Sequence, residues 1–481
     1  MNEQATNAPP TGAIPDMPPT GHTGFAYPLA QVDWAQVQAE LQGLDVITRL
    51  PQRRQMSKDF FWYSPVLTQH LADCVADLVV RVGTEDDVRQ VAQVVARHRL
   101  PLTVRAGGTG NYGQCVPLNG GIVMDVSGLA RVLDIQSGRV RAQAGARMYD
   151  IEMAARETGQ GLRMWPSTWH VASIGGFISG GFGGIGSMRN GILRDPGNML
   201  RARVMTVERE PRIIELVGDE IQQVQHAFGT NGVILDVEVA LNPHVEWLHT
   251  TVLFPTYRGA LDFACAASTP ELDLFLLSTV EARFSPYYTS MGDKFPADRH
   301  AVFTMVAPDS MDALRALAAR MGGEISVCGT EQELLDAGLP PAYECAYNHT
   351  TLQALKVDRS WTYLQVAYAQ PFDPAVVQRH LDIFGDDVLQ HQDYARAGGE
   401  FGTFGILLVR WKGIEHQYEV MREIESQGGC LIFNPHVVTI EEGGMKAIDD
   451  QQIEFKKRSD PMGLMNPGKT RGWRPDMARL D

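Results

Sequence analysis

The chain has 481 residues, 44% of them hydrophobic and 21% charged, with a formal net charge of −15. That length supports two or three domains with cores of their own. The acidic balance argues against nucleic acid as a partner. Six dispersed cysteines without a CxxC pair fit neither a disulfide framework nor a zinc site, and suit a reducing compartment. No run of 18 apolar residues predicts a membrane span.

Residues 1–25 are polar and Pro-rich, and read as a disordered tail rather than a signal peptide. The expected location is cytoplasmic. Residues 26–75 form an arm with a short amphipathic helix. Residues 77–82 are β-rich. Residues 84–99 start with a Thr cap, carry acids in the first turn and repeat apolar residues at Val88, Val91, Ala92 and Val95, which predicts a capped amphipathic helix. Residues 102–105 predict a second strand, completing a β-α-β unit that runs into Ala106, Gly107, Gly108, Thr109, Gly110 and Asn111. Strands are expected at 121–127, 140–145, 201–208 and 232–241, and a helix at 147–158. Residues 166–191 are too rich in glycine for a helix interior or an ordinary strand. Asn242-Pro243 is read as a domain boundary. Beyond it, to Pro435, helix-like and strand-like segments alternate in an α+β pattern with many aromatics, and 459–473 is rich in turns.

The glycines are unevenly placed: 19 of 47 lie in residues 105–191, and no lysine occurs between Lys58 and Lys294. A phosphate held here needs backbone N–H groups, hydroxyls or Arg. Glycine allows that close approach. Two motifs mislead. Gly181–Gly186 matches GxGxxG, but Gly191, Pro196 and Gly197 follow where a Rossmann helix should run. Gly463–Thr470 matches GxxxxGKT, but no buried strand precedes it and only 11 residues follow. Two glycine-rich loops, each near a strand end, suit one extended diphosphate instead.

The segments "PLTVRAGGTGNYGQCVPLNGGIVMDVSGL" (101–129), "PS…SIGGFISGGFGG" (166–184), "FGTNGVI" (228–234) and "DPMGLMNPGK" (460–469) occur in that order. With them the chain resembles the vanillyl-alcohol oxidase / p-cresol methylhydroxylase flavoprotein superfamily, in particular its 2-hydroxy-acid dehydrogenase and glycolate oxidase-like branch. The resemblance implies an α+β fold: a two-subdomain FAD-binding domain of the p-cresol methylhydroxylase type (26–245), an α+β substrate or cap domain (246–435), and a C-terminal segment (436–481) returning to the FAD domain. It implies that residues 106–111 wrap one side of the FAD pyrophosphate, with Gln114 in the same loop. Pro166, Ser167, Ser173, Gly175, Gly176, Ser179, Gly180 and Gly183 would line the other side and the isoalloxazine. Val233 and Ile234 would sit by the adenine-ribose end, and Asn466 and Lys469 by the flavin's pyrimidine edge. Covalent members have His at the place of Thr109 or Cys before the Gly-Gly pair. This chain has neither, so non-covalent FAD is expected, with His170 the remaining candidate for attachment.

The implied reaction is oxidation of a C–OH group in a small substrate, a 2-hydroxy acid or related alcohol. Hydride transfer needs a base near the oxygen. The candidates are His436 after the strand-like "CLIFNP", His349 and Tyr347 in "AYNHTT", and Arg410, ending "FGILLVR", as a carboxylate clamp. Asp195 is a weaker candidate. No HxH or HxxxH pair occurs and no metal is expected; His436 with Glu441 and Glu442 is only a faint echo of a zinc set. The electron acceptor stays open between oxygen and another carrier, and a homodimer is compatible with the resemblance. Two alternatives remain: an aromatic-alcohol or phenol oxidase on the same fold, and a nucleotide-binding protein without redox activity.

Overall fold

The computed structural model describes residues 29–269, 271–441 and 450–478. The expected N-terminal tail (1–25), the first three residues of the arm and Glu442 lie outside them. Three sheets carry the chain. The first holds β1 (Asp45–Ile47), β2 (Leu78–Arg81), β3 (Leu102–Arg105) and β4 (Ile122–Asp125) in the order β1-β2-β4-β3, with β2, β4 and β3 parallel. The helix Glu85–His98 makes the β2–β3 crossover. Its Thr84 side chain and Asp87 form a reciprocal capping box, and Val88, Val91, Ala92 and Val95 bury against the sheet.

The second sheet holds β5 (Val132–Gln136), β6 (Arg139–Gln143), β7 (Gln160–Leu162), β8 (Met199–Met205), β9 (Ile213–Val217) and β10 (Val233–Pro243), all antiparallel. Strand β10 continues through Asn242 and Pro243, where β7 pairs with it. The strand therefore ends at the Asn242-Pro243 pair, two residues beyond the expected strand end at Leu241. Pro is tolerated there because it ends the strand. Arg203 joins the first two units, donating to Asp236 at 2.8 Å and to Glu85 at 2.9 Å.

The third sheet is antiparallel and has nine strands: β11 (Leu248–Phe254), β12 (Leu274–Val280), β13 (His300–Val306), β14 (Glu324–Gly329), β15 (Trp361–Tyr368), β16 (Val388–Leu389), β17 (His391–Ala397), β18 (Glu400–Arg410) and β19 (Cys430–Asn434). Its order is β14-β11-β13-β12-β17-β18-β15-β19, with β16 on β18. Alternation divides its residues. Leu364, Val366, Tyr394, Leu407 and Val409 pack under helices that include Tyr257–Ala267 and Ile414–Ser426, while Tyr363, Ile406 and Leu408 face the core shared with the second sheet.

One correction concerns residues 166–191. Despite the glycines, Ile174–Gly180 is a short α-helix, capped by the Ser173 hydroxyl, which accepts from the Gly176 N–H at 3.2 Å. The glycines there serve close packing: a Cβ on Gly175 would lie 2.6 Å from that of Ala144. The C-terminal segment joins the open edge of the first sheet, where the Leu102 N–H donates to Leu464 O and the Asn466 N–H to Leu102 O, at 2.8 and 2.7 Å.

Candidate active site

Strand β3 delivers the first glycine loop. The Arg105 guanidinium packs against Gly108 of the loop, where a Cβ would overlap its Nη2, while its Nη1 donates to the carbonyls of Met56 at 2.6 Å and Lys58 at 3.1 Å. Gly107 meets the second loop so closely that a Cβ would overlap the Val171 carbonyl oxygen. The two loops thus form one surface, the wall of a continuous cavity of about 330 Å³. Ala106, Gly107, Gly108, Thr109, Gly110, Asn111, Gln114, Pro166, Ser167, Ser173, Gly175, Gly176, Ser179, Gly180, Gly183 and Ile234 all line it. Gly176 and Gly180 have little protein against their missing side chains, and the buried Asn111 Nδ2 has no hydrogen-bond partner. Bare backbone and a spare donor are what a diphosphate and a flavin edge require.

Three expected cofactor residues stand elsewhere. Val233 is buried in the core of the first sheet. Asn466 and Lys469 lie behind the first loop. Asn466 donates to the carbonyls of Gln114 at 2.7 Å and Phe228 at 2.6 Å, and Lys469 Nζ donates to Gly113 O at 2.5 Å. Burial pulls Lys469 down and pushes the neighbouring Asp59 up. These two C-terminal residues buttress the cradle rather than line it. The physical reason is their burial: both are nearly or fully sealed from solvent and take up backbone carbonyls of the loop. His170 is exposed and packs at a tilt against the rings of Trp169 and Tyr149, outside the residues that line the cavity.

The opposite wall comes from the third sheet. Asp393 and Ala395 of β17, Phe404 and Ile406 of β18, Gln365 of β15, and Phe433 and Asn434 of β19 line it, together with Tyr347, Asn348 and His349. Asp393 is 2% exposed. Its Oδ1 accepts from the Tyr347 N–H at 3.2 Å and lies 3.2 Å from His391 Nε2. His391 is fully buried, with Thr350 Oγ1 at 3.0 Å from its Nδ1. Asp393 Oδ2 has no hydrogen-bond partner. His349 Nδ1 lies 2.9 Å from a carboxylate oxygen of Glu344. The Tyr347 hydroxyl donates to Gly184 O at 2.8 Å. Tyr363 ties the sheet to the first loop, donating to Asn111 O at 3.4 Å.

Two predicted catalytic residues do not reach this wall. His436 is fully buried, with Nδ1 2.5 Å from Ser64 Oγ and 3.2 Å from Gln417 Nε2, and its ring packs 4.8 Å from that of Tyr363. Burial pulls its imidazole down to about 4. The cavity is lined by its neighbours Asn434 and Val437 instead. Arg410 donates to Asp358 at 3.0 Å and to Ser360 Oγ at 2.6 Å, with its guanidinium 3.8 Å over the Trp361 ring. It is engaged away from the cavity. Asp195 is likewise occupied by the N–H groups of Ile192 and Gly398.

Residues 76–209 match the family described as the FAD binding domain. The FAD-binding domain is therefore shown for that segment, and the whole chain is similar to FAD-binding oxidoreductases. The chain is 27% identical to glycolate oxidase subunit GlcD of Bacillus subtilis over 121 residues, 25% of this chain and 26% of the relative. It is 25% identical to D-lactate dehydrogenase of Archaeoglobus fulgidus over 440 residues, 82% of this chain and 90% of the relative. The chain thus spans only about a quarter of the first relative. Among solved structures, alkyldihydroxyacetonephosphate synthase superposes with a TM-score of 0.69 at 13% identity, covering 96% of this chain and 90% of the other. For 6-hydroxy-D-nicotine oxidase from Arthrobacter nicotinovorans the TM-score is 0.61 at 16% identity, covering 88% and 96%. These superpositions establish the FAD-binding fold. FAD is the cofactor that the matched domain implies. Among the described residues no group of three His, Cys, Asp or Glu could hold a metal ion, and no helix is long and apolar enough to cross a membrane.

Proposed function

We propose that this flavoprotein oxidises a C–OH group of a small substrate, with FAD held non-covalently between the two glycine loops. Residues 106–111, Ser173, Gly176 and Gly180 would hold the cofactor, which supplies a two-electron hydride acceptor when bound. The observation that carries the reading is Asp393: a buried carboxylate oxygen without a partner, on the wall facing the glycine cradle. Asp393 takes the hydroxyl proton at Oδ2, while His391 and the Tyr347 N–H fix the carboxylate through Oδ1. His349, held by Glu344, and Asn434 orient the substrate oxygen. The aromatic wall excludes water. The names of two sequence relatives, glycolate oxidase and D-lactate dehydrogenase, support a C–OH donor.

The test is anaerobic reduction of the purified holoprotein, followed at the visible flavin band. Asp393→Asn should keep its FAD and slow reduction by about 10²-fold or more, the scale of losing a general base. Undiminished reduction in that variant removes Asp393 from the mechanism. Acid precipitation should leave the flavin in the supernatant; colour in the pellet overturns the non-covalent reading.

A further inference from the structure

The electrostatics of the donor end say which C–OH compounds it accepts. Among the described residues lining the cavity, the only Lys or Arg is Arg105, whose Nη1 donates to the Met56 and Lys58 carbonyls and whose Nη2 lies against Gly108 in the first glycine loop, on the cradle rather than on the donor wall. His349 is matched by Glu344, and the His226 Nδ1 lies 3.2 Å from Gly181 O. Arg410 is paired with Asp358 outside the wall. What the wall offers instead is the Asp393 carboxylate and the amides of Gln365, Asn348 and Asn434. Gln365 Oε1 and Asn348 Oδ1 are, like Asp393 Oδ2, without partners.

A substrate carboxylate beside the carbinol carbon would face the buried Asp393 with no Lys or Arg among the described residues of the donor wall to offset it; the Arg194 guanidinium, 5.2 Å from the Phe182 ring centre, is not among the lining residues. Like charges so placed disfavour binding strongly. A hydroxyl supplies the proton donor that Asp393 lacks. Next to the carboxylate, Phe182, Phe404 and Phe433 form an edge-on row with ring centroids 6.2 Å apart at each step, and Ile406 continues the wall. That surface suits an apolar remainder.

We propose that Asp393 is a charge filter as well as the proton acceptor: the site takes uncharged alcohols with an apolar remainder and refuses 2-hydroxy carboxylates. This rests on the C–OH reading above. In the reaction the carbinol C–H bond breaks and its electron pair leaves with the hydrogen to the oxidised flavin. The O–H proton passes to Asp393 Oδ2, and the carbonyl π bond forms. Bound FAD would supply the two-electron acceptor, and the Asp393 proton is released to water.

The experiment uses holoprotein in two arms. In the first, anaerobic flavin reduction is compared within matched pairs: 1,2-propanediol against lactate, and 1-phenyl-1,2-ethanediol against mandelate. The neutral member should reduce the flavin at least about 100-fold more efficiently. In the second, phenylacetate and phenylacetamide are titrated against the visible flavin spectrum, without turnover. Wild-type protein should favour the amide, and Asp393→Asn should tighten phenylacetate binding at least about tenfold. Wild-type protein that binds phenylacetate as tightly as phenylacetamide, or that is reduced as efficiently by the hydroxy acids as by the diols, overturns the filter. If no alcohol reduces a flavin that is bound, the C–OH reading falls, and the binding arm still decides the filter.

Discussion

The peptide N–H of Tyr347 donates to Asp393 Oδ1 at 3.2 Å, and the same residue's hydroxyl donates to Gly184 O at 2.8 Å. One residue therefore fixes the donor-side carboxylate and the second glycine loop relative to each other. It does so from a left-handed backbone conformation, φ 51°, that is unfavourable for a bulky side chain. Burial pushes the phenol well above its ordinary range, so it acts as a neutral donor. Tyr347→Phe leaves the Gly184 carbonyl without this bond. FAD should bind about five- to tenfold more weakly, matching about 1 kcal/mol for a lost hydrogen bond. Fluorescence titration of the apoprotein checks this, and an unchanged dissociation constant refutes it.

The glycines of the cradle separate into two kinds. Gly107→Ala places a methyl on the Val171 carbonyl, so the loops must part. That variant should lose FAD and melt at lower temperature even as apoprotein. Gly180→Ala meets nothing nearer than the Gln114 side chain, at 3.8 Å. At the last residue of a helix, the substitution should raise apoprotein stability by up to about 1 kcal/mol. Its methyl occupies cofactor space, so FAD affinity should fall. A Gly180→Ala protein that binds FAD normally would place the cofactor elsewhere.

The cradle was legible because its signals are local. Thr84, Asp87 and the apolar repeat between them and Val95 specify the crossover helix within 12 residues, and glycine density marks both loops. The donor wall has no such signal. Asp393, Gln365, Phe404 and Asn434 come from four strands and meet only through sheet pairing. A hint did exist in β17, where the polar pair His391 and Asp393 sits two apart, hence on one face of a buried strand. His436 misled because a histidine after an apolar strand looks exposed to a ligand. The turn there, φ 59°, instead points it to Ser64, in the arm. Arg410 misled for a similar reason: its partner Asp358 is 52 residues away in sequence.

His436 should therefore matter for stability rather than catalysis. Its folded-state pKa is about 4, below the ordinary 6.5, because burial disfavours the charge. The unfolded chain takes up a proton that the folded protein refuses. The corresponding stability is complete above about pH 6.5 and is lost as pH falls through about 4. His436→Asn, which tolerates the left-handed turn, should flatten the stability slope between pH 6 and 4.5 by about 1.4 kcal/mol per pH unit. Urea unfolding at several pH values measures it. Flavin reduction should stay within about threefold of wild type; a 100-fold loss would return His436 to the active site.

The last support of the cradle is an ion pair in the C-terminal segment. Lys456 Nζ donates to Asp460 at 2.7 Å and to Thr230 O at 2.7 Å, and both residues are buried. Asp460 also accepts from the N–H groups of Leu464 and Met465, each at 2.8 Å. This holds the segment against β3 and sets Asn466 behind the first loop. Lys456→Met strands the Asp460 charge, and breaking a buried pair in this way costs about 3–5 kcal/mol. The melting temperature and FAD affinity should fall together, because the same segment carries both. Adding Asp460→Asn removes the stranded charge and keeps one oxygen as acceptor for one of the two N–H groups, which Asp460 takes on separate oxygens. The double variant should therefore recover part of the stability lost by Lys456→Met. Losses that simply add would mean that the two charges are not coupled.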